Sequence, residues 1–329
     1  MVSQSFGQDQ PSEPLVERGR PAESAVPGHT RLGFIGLGVM GRPMAHRVLE
    51  RGFTLTVHSR TRARAATLEA GGATWAETPR AVAAASDVVV TMLPDSPDVE
   101  EVLLGKDGVL AGARAGLVWI DTSTISPTAT RSLVEVAAAR RVPSLDAPVT
   151  GGEAAAQRGT LTIMVGGAAE QVARSRPILD AFGSKIVHVG GAGAGQVAKA
   201  CNQVLVGGTI ALVAEALLLA AKSGVDPALV REALLGGFAQ SRVLEVHGER
   251  MLAGQYVPGF RVRLHQKDLG IVAELARAVG LPVVLTAAAT QIMNGLTPEE
   301  RDLDHSALAL VYERMAGTAL RPSTQGEVA

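Results

Sequence analysis

Cysteine is nearly absent from this 329-residue chain: Cys201 is the single one, which excludes an internal disulfide and suits a reducing compartment. Lying in an apolar stretch, it is expected to be a small apolar filler rather than a catalytic thiol. Aromatic residues are scarce too, with two tryptophans, two tyrosines and six phenylalanines against 37 glycines. Such a composition suits close-packed α/β layers and Ala-rich helices. Neither sign of charge dominates. A formal net charge of −1 leaves no electrostatic footprint for nucleic acid or an anionic membrane.

Other signals are missing as well. Residues 1–30 lack the apolar core of a secretory signal, and their acids argue against an organellar transit peptide. Polar and proline-bearing, they are expected to form a disordered extension. No uncharged apolar run of about 18 residues has the flanks of a membrane span. The segment after Gly193 comes nearest, but Lys199, Asn202, Gln203 and Glu215 interrupt it. A soluble, cytoplasmic protein is expected. His247, His265 and His305 have no metal-ligand spacing and no cysteine or acidic company, so no metal site is expected. Asp304 before His305 reads as a helix cap.

What is present begins with Leu32–Ile35, an apolar strand, followed at once by Gly36, Leu37, Gly38, Val39, Met40 and Gly41. A helix over Pro43–Arg51 and a strand over Thr54–His58 complete a β-α-β unit around G-x-G-x-x-G. In that setting Gly36 permits the tight turn, Gly38 admits a pyrophosphate, and Gly41 lets helix and strand pack closely. The phosphates would meet free N–H groups at the helix N-terminus. An NAD-specific site usually has an acid at the end of the second strand. Here Ser59, Arg60 and Thr61 stand instead, which favours the 2′-phosphate of NADP over NAD. Arg62 and Arg64 read as the solvated face of the next helix.

Strands and helices then alternate, giving a doubly wound α/β domain over 31–192. Ligands bind outside the carboxyl ends of such strands. Three ends are candidate loops: Leu93-Pro94-Asp95-Ser96 after Asp87–Met92, with Met92 closing the strand; Asp121-Thr122-Ser123-Thr124 after Leu117–Ile120; and Pro148-Val149-Thr150-Gly151-Gly152 after Ser144–Ala147. Strands over Leu161–Val165 and Lys185–Val189, with a helix over Ala168–Ala181 between them, extend the sheet.

From Gly193 to Lys222 the chain carries almost no charge besides Lys199 and Glu215. It reads as one helix buried on most of its surface. A lysine within such a helix needs a lowered pKa or partners. Taken alone, Lys199 reads as a side chain that snorkels to solvent.

Four stretches then resemble the β-hydroxyacid dehydrogenase family: Gly33–Gly41, Asp146–Gly152 with Gly159-Thr160-Leu161, Gly195–Gln203, and Lys267-Asp268-Leu269. The likeness covers roughly Leu32 to Met315. It implies an all-helical second domain over 193–318, a flexible tail over 319–329, and a homodimer or homotetramer. Within the family, Gly237–Leu244, Pro258–Leu269 and Asp304–Ala309 are similar to tartronate semialdehyde reductases. Thr150 departs from the usual serine, and Arg60 stands where several such reductases carry an acid.

The resemblance implies that NAD(P)H reduces the aldehyde of a short 3-oxo acid, with Lys199 as the general acid. Asn202 and Gln203, about one turn along the helix, would orient Lys199 or the substrate oxygen. Ser123 with Thr150, Gly151 and Gly152 would hold the substrate carboxylate. Lys267 is implied as a second cation, and Thr124, Leu93 and Pro94 as nicotinamide-side contacts. The other readings are 3-hydroxyisobutyrate dehydrogenase and glyoxylate or succinic semialdehyde reductase. A non-catalytic NADP-binding scaffold and an imine reductase rank lower, because both are expected to lack this lysine.

Overall fold

The computed structural model describes residues 24–320. Among them nine strands form one sheet: β1 (Arg31–Ile35), β2 (Thr54–His58), β3 (Thr74–Trp75), β4 (Val88–Thr91), β5 (Val118–Asp121), β6 (Ser144–Asp146), β7 (Val149–Thr150), β8 (Leu161–Gly166) and β9 (Gly183–Gly190). The run β3-β2-β1-β4-β5-β6 is parallel. Beyond it β8 is antiparallel to β6 and β7, and pairs in parallel with β9.

Parallel strands joined by helices are covered on both faces, so they read as continuous apolar runs. β4 and β5 are buried at every position. Alternate side chains feed two cores: Phe34, Val90 and Ile120 enter one, and Ile35, Val89 and Trp119 the other. The register sets Ile35 opposite Thr91, Thr91 opposite Asp121, and Asp121 opposite Asp146. Four strand ends therefore lie in one row. The chain direction of the winding reverses between β1 and β4, which opens the crevice used by ligands in such sheets.

Past Gly193 the fold is helical. The long helix Ala194–Lys222 carries the helices Pro227–Leu235, Arg242–Ala253, Val262–Ala278, Val284–Asn294 and Ala309–Ala316 packed against it. Ile210 and Leu217 meet Leu244, Met251, Leu269 and Met293 in their core. By length and composition the long helix is apolar enough to cross a membrane; here it packs on the sheet and on five helices.

Three expectations need correction. Residues 24–30 are not a loose extension: Ala25 is buried and its N–H donates to Arg174 O at 3.0 Å, while Thr30 Oγ1 closes the turn on Val26 N. Composition cannot register one small residue that docks. Leu320 is likewise buried and donates to Glu313 Oε1, so it is no part of a loose tail; 1–23 and 321–329 lie outside the described residues. The long helix is also not buried on most of its surface. Cys201 is exposed rather than a filler, and Leu205, Leu212 and Leu219 are 70, 58 and 70% exposed. An apolar stripe facing outward has the same spacing as one facing a core.

At the first turn of the long helix a Cβ on Gly195 would fall 2.5 Å from Met164 O and 2.7 Å from Asp146 O. Gly195→Ala is expected to cost about 1–3 kcal/mol of stability. Urea unfolding checks this, and an unchanged midpoint would contradict the docking of helix on sheet.

Candidate active site

The glycine loop joins β1 to the helix Gly41–Glu50. Gly36 has φ +100°, and a Cβ there would lie 2.2 Å from Met92 O. A Cβ on Gly41 would lie 1.9 Å from Gly36 O. Both glycines are therefore required by packing. Gly38 differs, because a Cβ there would meet nothing within 4 Å. No side chain caps the helix and no acid lies in its first turn, so its N–H groups are available to an anion. This loop fits a dinucleotide pyrophosphate. At the end of β2, Ser59 is buried while Thr61 and Arg60 are exposed, and Arg60 reaches Asp98 at 3.6 Å.

The row of strand ends is knitted by hydroxyls around a buried acid. Thr91 Oγ1, Ser123 Oγ and Ser123 N donate to Asp121 Oδ1 at 2.7, 2.6 and 3.2 Å. Leu93 N donates to Ser123 Oγ at 2.8 Å. Burial pushes the Asp121 carboxyl up to about 6 against these hydrogen bonds. The Ser123 hydroxyl is thus turned inward and already both donates and accepts. Thr150 is half-buried, and Gly151 and Gly152 are exposed with φ +130° and +69°.

Lys199 does not snorkel; it is 8% exposed. Burial lowers its ammonium to about 8, with Asp268 opposing the shift and Lys267 adding to it. Among the described residues it makes no hydrogen bond or ion pair, so its Nζ is free for a ligand. Asp268, on the Val262–Ala278 helix, accepts from Gln203 Nε2 at 2.7 Å and pairs with Lys267 Nζ at 2.9 Å. Asn202 Nδ2 in turn donates to Gln203 Oε1 at 2.7 Å. Gln203 is therefore held by a carboxylate and an amide. Lys267 Nζ also donates to Thr124 O, which ties the helical part to the loop after β5.

Some of the expected residues thus gather in two groups, one of Gly36, Met92, Leu93 and Ser123, the other of Lys199, Asn202, Gln203 and Lys267 around Asp268. Among the described residues no hydrogen bond or ion pair joins Ser59–Thr61 or Thr150–Gly152 to either. Sequence reading gave no role to Asp268, Asp121, Asp146 or Gln196. Asp268 stood in a quoted motif, but nothing marked which helix its carboxylate would face. The histidines were also separated too far. His265 Nδ1 lies 2.8 Å from His305 Nδ1, and His305 Nε2 lies 3.2 Å from His247 Nε2, with Asp304 beside them. The group of His247, Asp304 and His305 has the compactness of a cation site. However, Asp304 already accepts from Arg250, Gly259, Phe260 and Ser306, which leaves little for a metal. Burial pushes the Asp304 carboxyl up, but its hydrogen bonds and nearby cations hold it well below the usual range. Burial lowers His265 to about 4 and pushes His305 well below its usual value, so those two rings act as neutral hydrogen-bond partners.

The chain is similar to known proteins along most of its length. Residues 31–190 match the NAD binding domain of 6-phosphogluconate dehydrogenase, and residues 193–312 match the NAD-binding domain of NADP-dependent 3-hydroxyisobutyrate dehydrogenase. The chain is 44% identical over 291 residues to 2-hydroxy-3-oxopropionate reductase of Escherichia coli, across 88% of this chain and 99% of that one. The structure of Mycobacterium tuberculosis 3-hydroxyisobutyrate dehydrogenase with L-serine is similar at TM-score 0.79 and 32% identity, over 86% of this chain and 99% of that one. Psf3 in complex with NADP+ and 2-OPP is similar at TM-score 0.78 and 26% identity, over 85 and 99%.

The lowered pKa of Lys199 carries a stability consequence. Its ordinary value is 10.5 and its folded value about 8, so the unfolded chain binds more protons between those limits. The burial penalty is full below about pH 8 and fades as pH rises toward 10.5. Lys199→Met is expected to be more stable than the parent at neutral pH, by on the order of 3 kcal/mol. The gain should shrink toward pH 10.5, and urea unfolding at both pH values checks it.

Proposed function

Because the chain belongs to the β-hydroxyacid dehydrogenase family related to 3-hydroxyisobutyrate dehydrogenase, we propose that this NAD(P)-dependent oxidoreductase reduces 2-hydroxy-3-oxopropanoate to D-glycerate. The observation that carries the reading is Lys199, a buried and unpaired amine that titrates at about 8. A group near that value has both protonation states populated close to neutrality, as a general acid and base requires. The bound dinucleotide supplies the hydride. Lys199 gives its proton to the carbonyl oxygen in reduction and takes it back in oxidation. Asp268 tempers the loss of basicity, and Gln203 with Asn202 orients the oxygen or the ammonium. The exposed Gly151 and Gly152, with Thr150, present backbone donors for the substrate carboxylate.

NADP is the preferred cofactor in this reading. No acid stands at the end of β2, and the Arg60 guanidinium is free to move, since an exposed ion pair such as that with Asp98 holds little. The E. coli relative favours the semialdehyde substrate, whereas likeness to the M. tuberculosis enzyme keeps 3-hydroxyisobutyrate in contention. A homodimer or homotetramer is supported by Leu205, Leu212 and Leu219, an exposed row seven residues apart, with Val284 and Leu285 also exposed.

Steady-state kinetics with NADPH on tartronate semialdehyde, glyoxylate, succinic semialdehyde and methylmalonate semialdehyde should give the highest kcat/KM for the first. NADH used as well as NADPH would overturn the cofactor assignment. Lys199→Ala should lose about 10²–10⁴ in kcat while still binding NADPH, and near-normal turnover would refute the acid. Sedimentation of Leu212→Glu should show weaker self-association than the parent.

A further inference from the structure

Lys199 is only as well placed as the helix turn beneath it, and that turn is fastened to the sheet by side chains rather than by the helix itself. Gly193 opens the long helix at φ +82°. Its N–H donates to Asp146 Oδ1 at 2.8 Å, and Gln196 N donates to Asp146 Oδ2 at 3.0 Å, so one carboxylate from β6 caps the turn. Gln196 then reaches the neighbouring strand end. It is 1% exposed, its Nε2 donates to Ser123 O at 2.8 Å, and its Oε1 accepts from Ile125 N at 3.2 Å. The loop between those contacts is gripped from the other side by Lys267 on Thr124 O. Lys199 follows Gln196 by three residues, about one turn along the same face.

We propose that Gln196 is a positioning residue: its amide sets Lys199 in register with the Ser123–Ile125 loop, so that proton donor and cofactor-side loop keep one spacing. The inference rests on the reading of Lys199 as the acid. A carboxamide is the side chain that donates and accepts side by side without charge. Ionised glutamate has no proton for Ser123 O and would face that oxygen with a negative charge, and methionine satisfies neither partner. Protonated glutamic acid reproduces both bonds. The substitution is therefore reversible by pH, which a general loss of packing would not be.

The titratable groups around this amide are Asp121 and Asp146 from the sheet, and Lys199 from its own helix. Lys267, Asp268 and Glu274 face the same loop from the Val262–Ala278 helix, Glu274 through Ser126 Oγ at 3.2 Å. The parent carries all of them, so their titrations cancel in the Gln196→Met ratio, and a pH dependence found only in the Gln196→Glu ratio comes from the introduced carboxyl and its coupling to them.

Gln196→Met is expected to lower kcat about tenfold or more, with the Kd for NADPH and the KM changed much less. Gln196→Glu should regain activity relative to the parent as pH falls from about 8.5 to about 5.5, while the Gln196→Met ratio stays flat. Turnover of Gln196→Met equal to the parent, or a flat Gln196→Glu ratio, would overturn the proposal. Should the methionine variant fail to fold, the glutamate ratio decides alone. In a Lys199→Ala background Gln196→Met should cost nothing further. Losses that multiply would show that Gln196 does not act through Lys199, leaving the role of Lys199 intact; near-parental turnover of Lys199→Ala alone would remove that role itself.

Discussion

The attraction between Asp268 and the buried Lys199 ammonium crosses from one helix to another, and the surrounding structure is arranged to keep it. An ammonium among alanine, valine and leucine is costly without compensation. Asp268 supplies part of that compensation, while Lys267 adds a second positive charge beside it. The balance leaves Lys199 near 8, where a proton is neither held too tightly nor lost. Asp268 itself is fixed by Gln203 and Lys267, so its field arrives from a constant direction. Without the carboxylate, burial and the Lys267 charge would together push the value lower.

That arrangement has meaning only if the helical part keeps its place on the sheet. The join is made by small residues and by polar groups used as cross-links. Gly195 lets the first turn of the long helix touch the ends of β6 and β8, and Asp146 caps that turn from below. Gln196 and Lys267 take hold of the loop after β5 from two helices. On the far side, Asp304 and three histidines bind the turn that holds Asp304 and His305 to the helices Arg242–Ala253 and Val262–Ala278. Polar groups buried in this manner are expensive if left unmatched, so a satisfied network selects one arrangement of the two parts.

Much of the fold was legible from local pattern. Thr54–His58 agrees with its strand residue for residue, and the other major strands differ by one or two positions at their ends. The glycine loop was readable because Gly36 and Gly41 obey steric rules that act within a few residues and one neighbouring strand. Candidate site residues could be named from the sequence, but their wiring could not. Ser123 was placed at the right strand end, yet its hydroxyl is turned to Asp121, a choice made by a buried acid needing donors. Lys199 was read as snorkelling from its own segment, and the reason it stays inside is a carboxylate far along the chain.

What the sequence determined by itself was the alternation of elements, the dinucleotide loop and the presence of a lysine in an apolar helix. Each follows from forces between near neighbours: steric limits on φ and ψ, periodic burial, and turn chemistry. Only the tertiary structure decided which way the long helix faces. It turned Cys201 and Leu205 outward, Lys199 inward, and brought Gln203 to Asp268, which lies 65 residues further on. Those choices come from packing and charge pairing between distant segments, where residue spacing carries no record of direction.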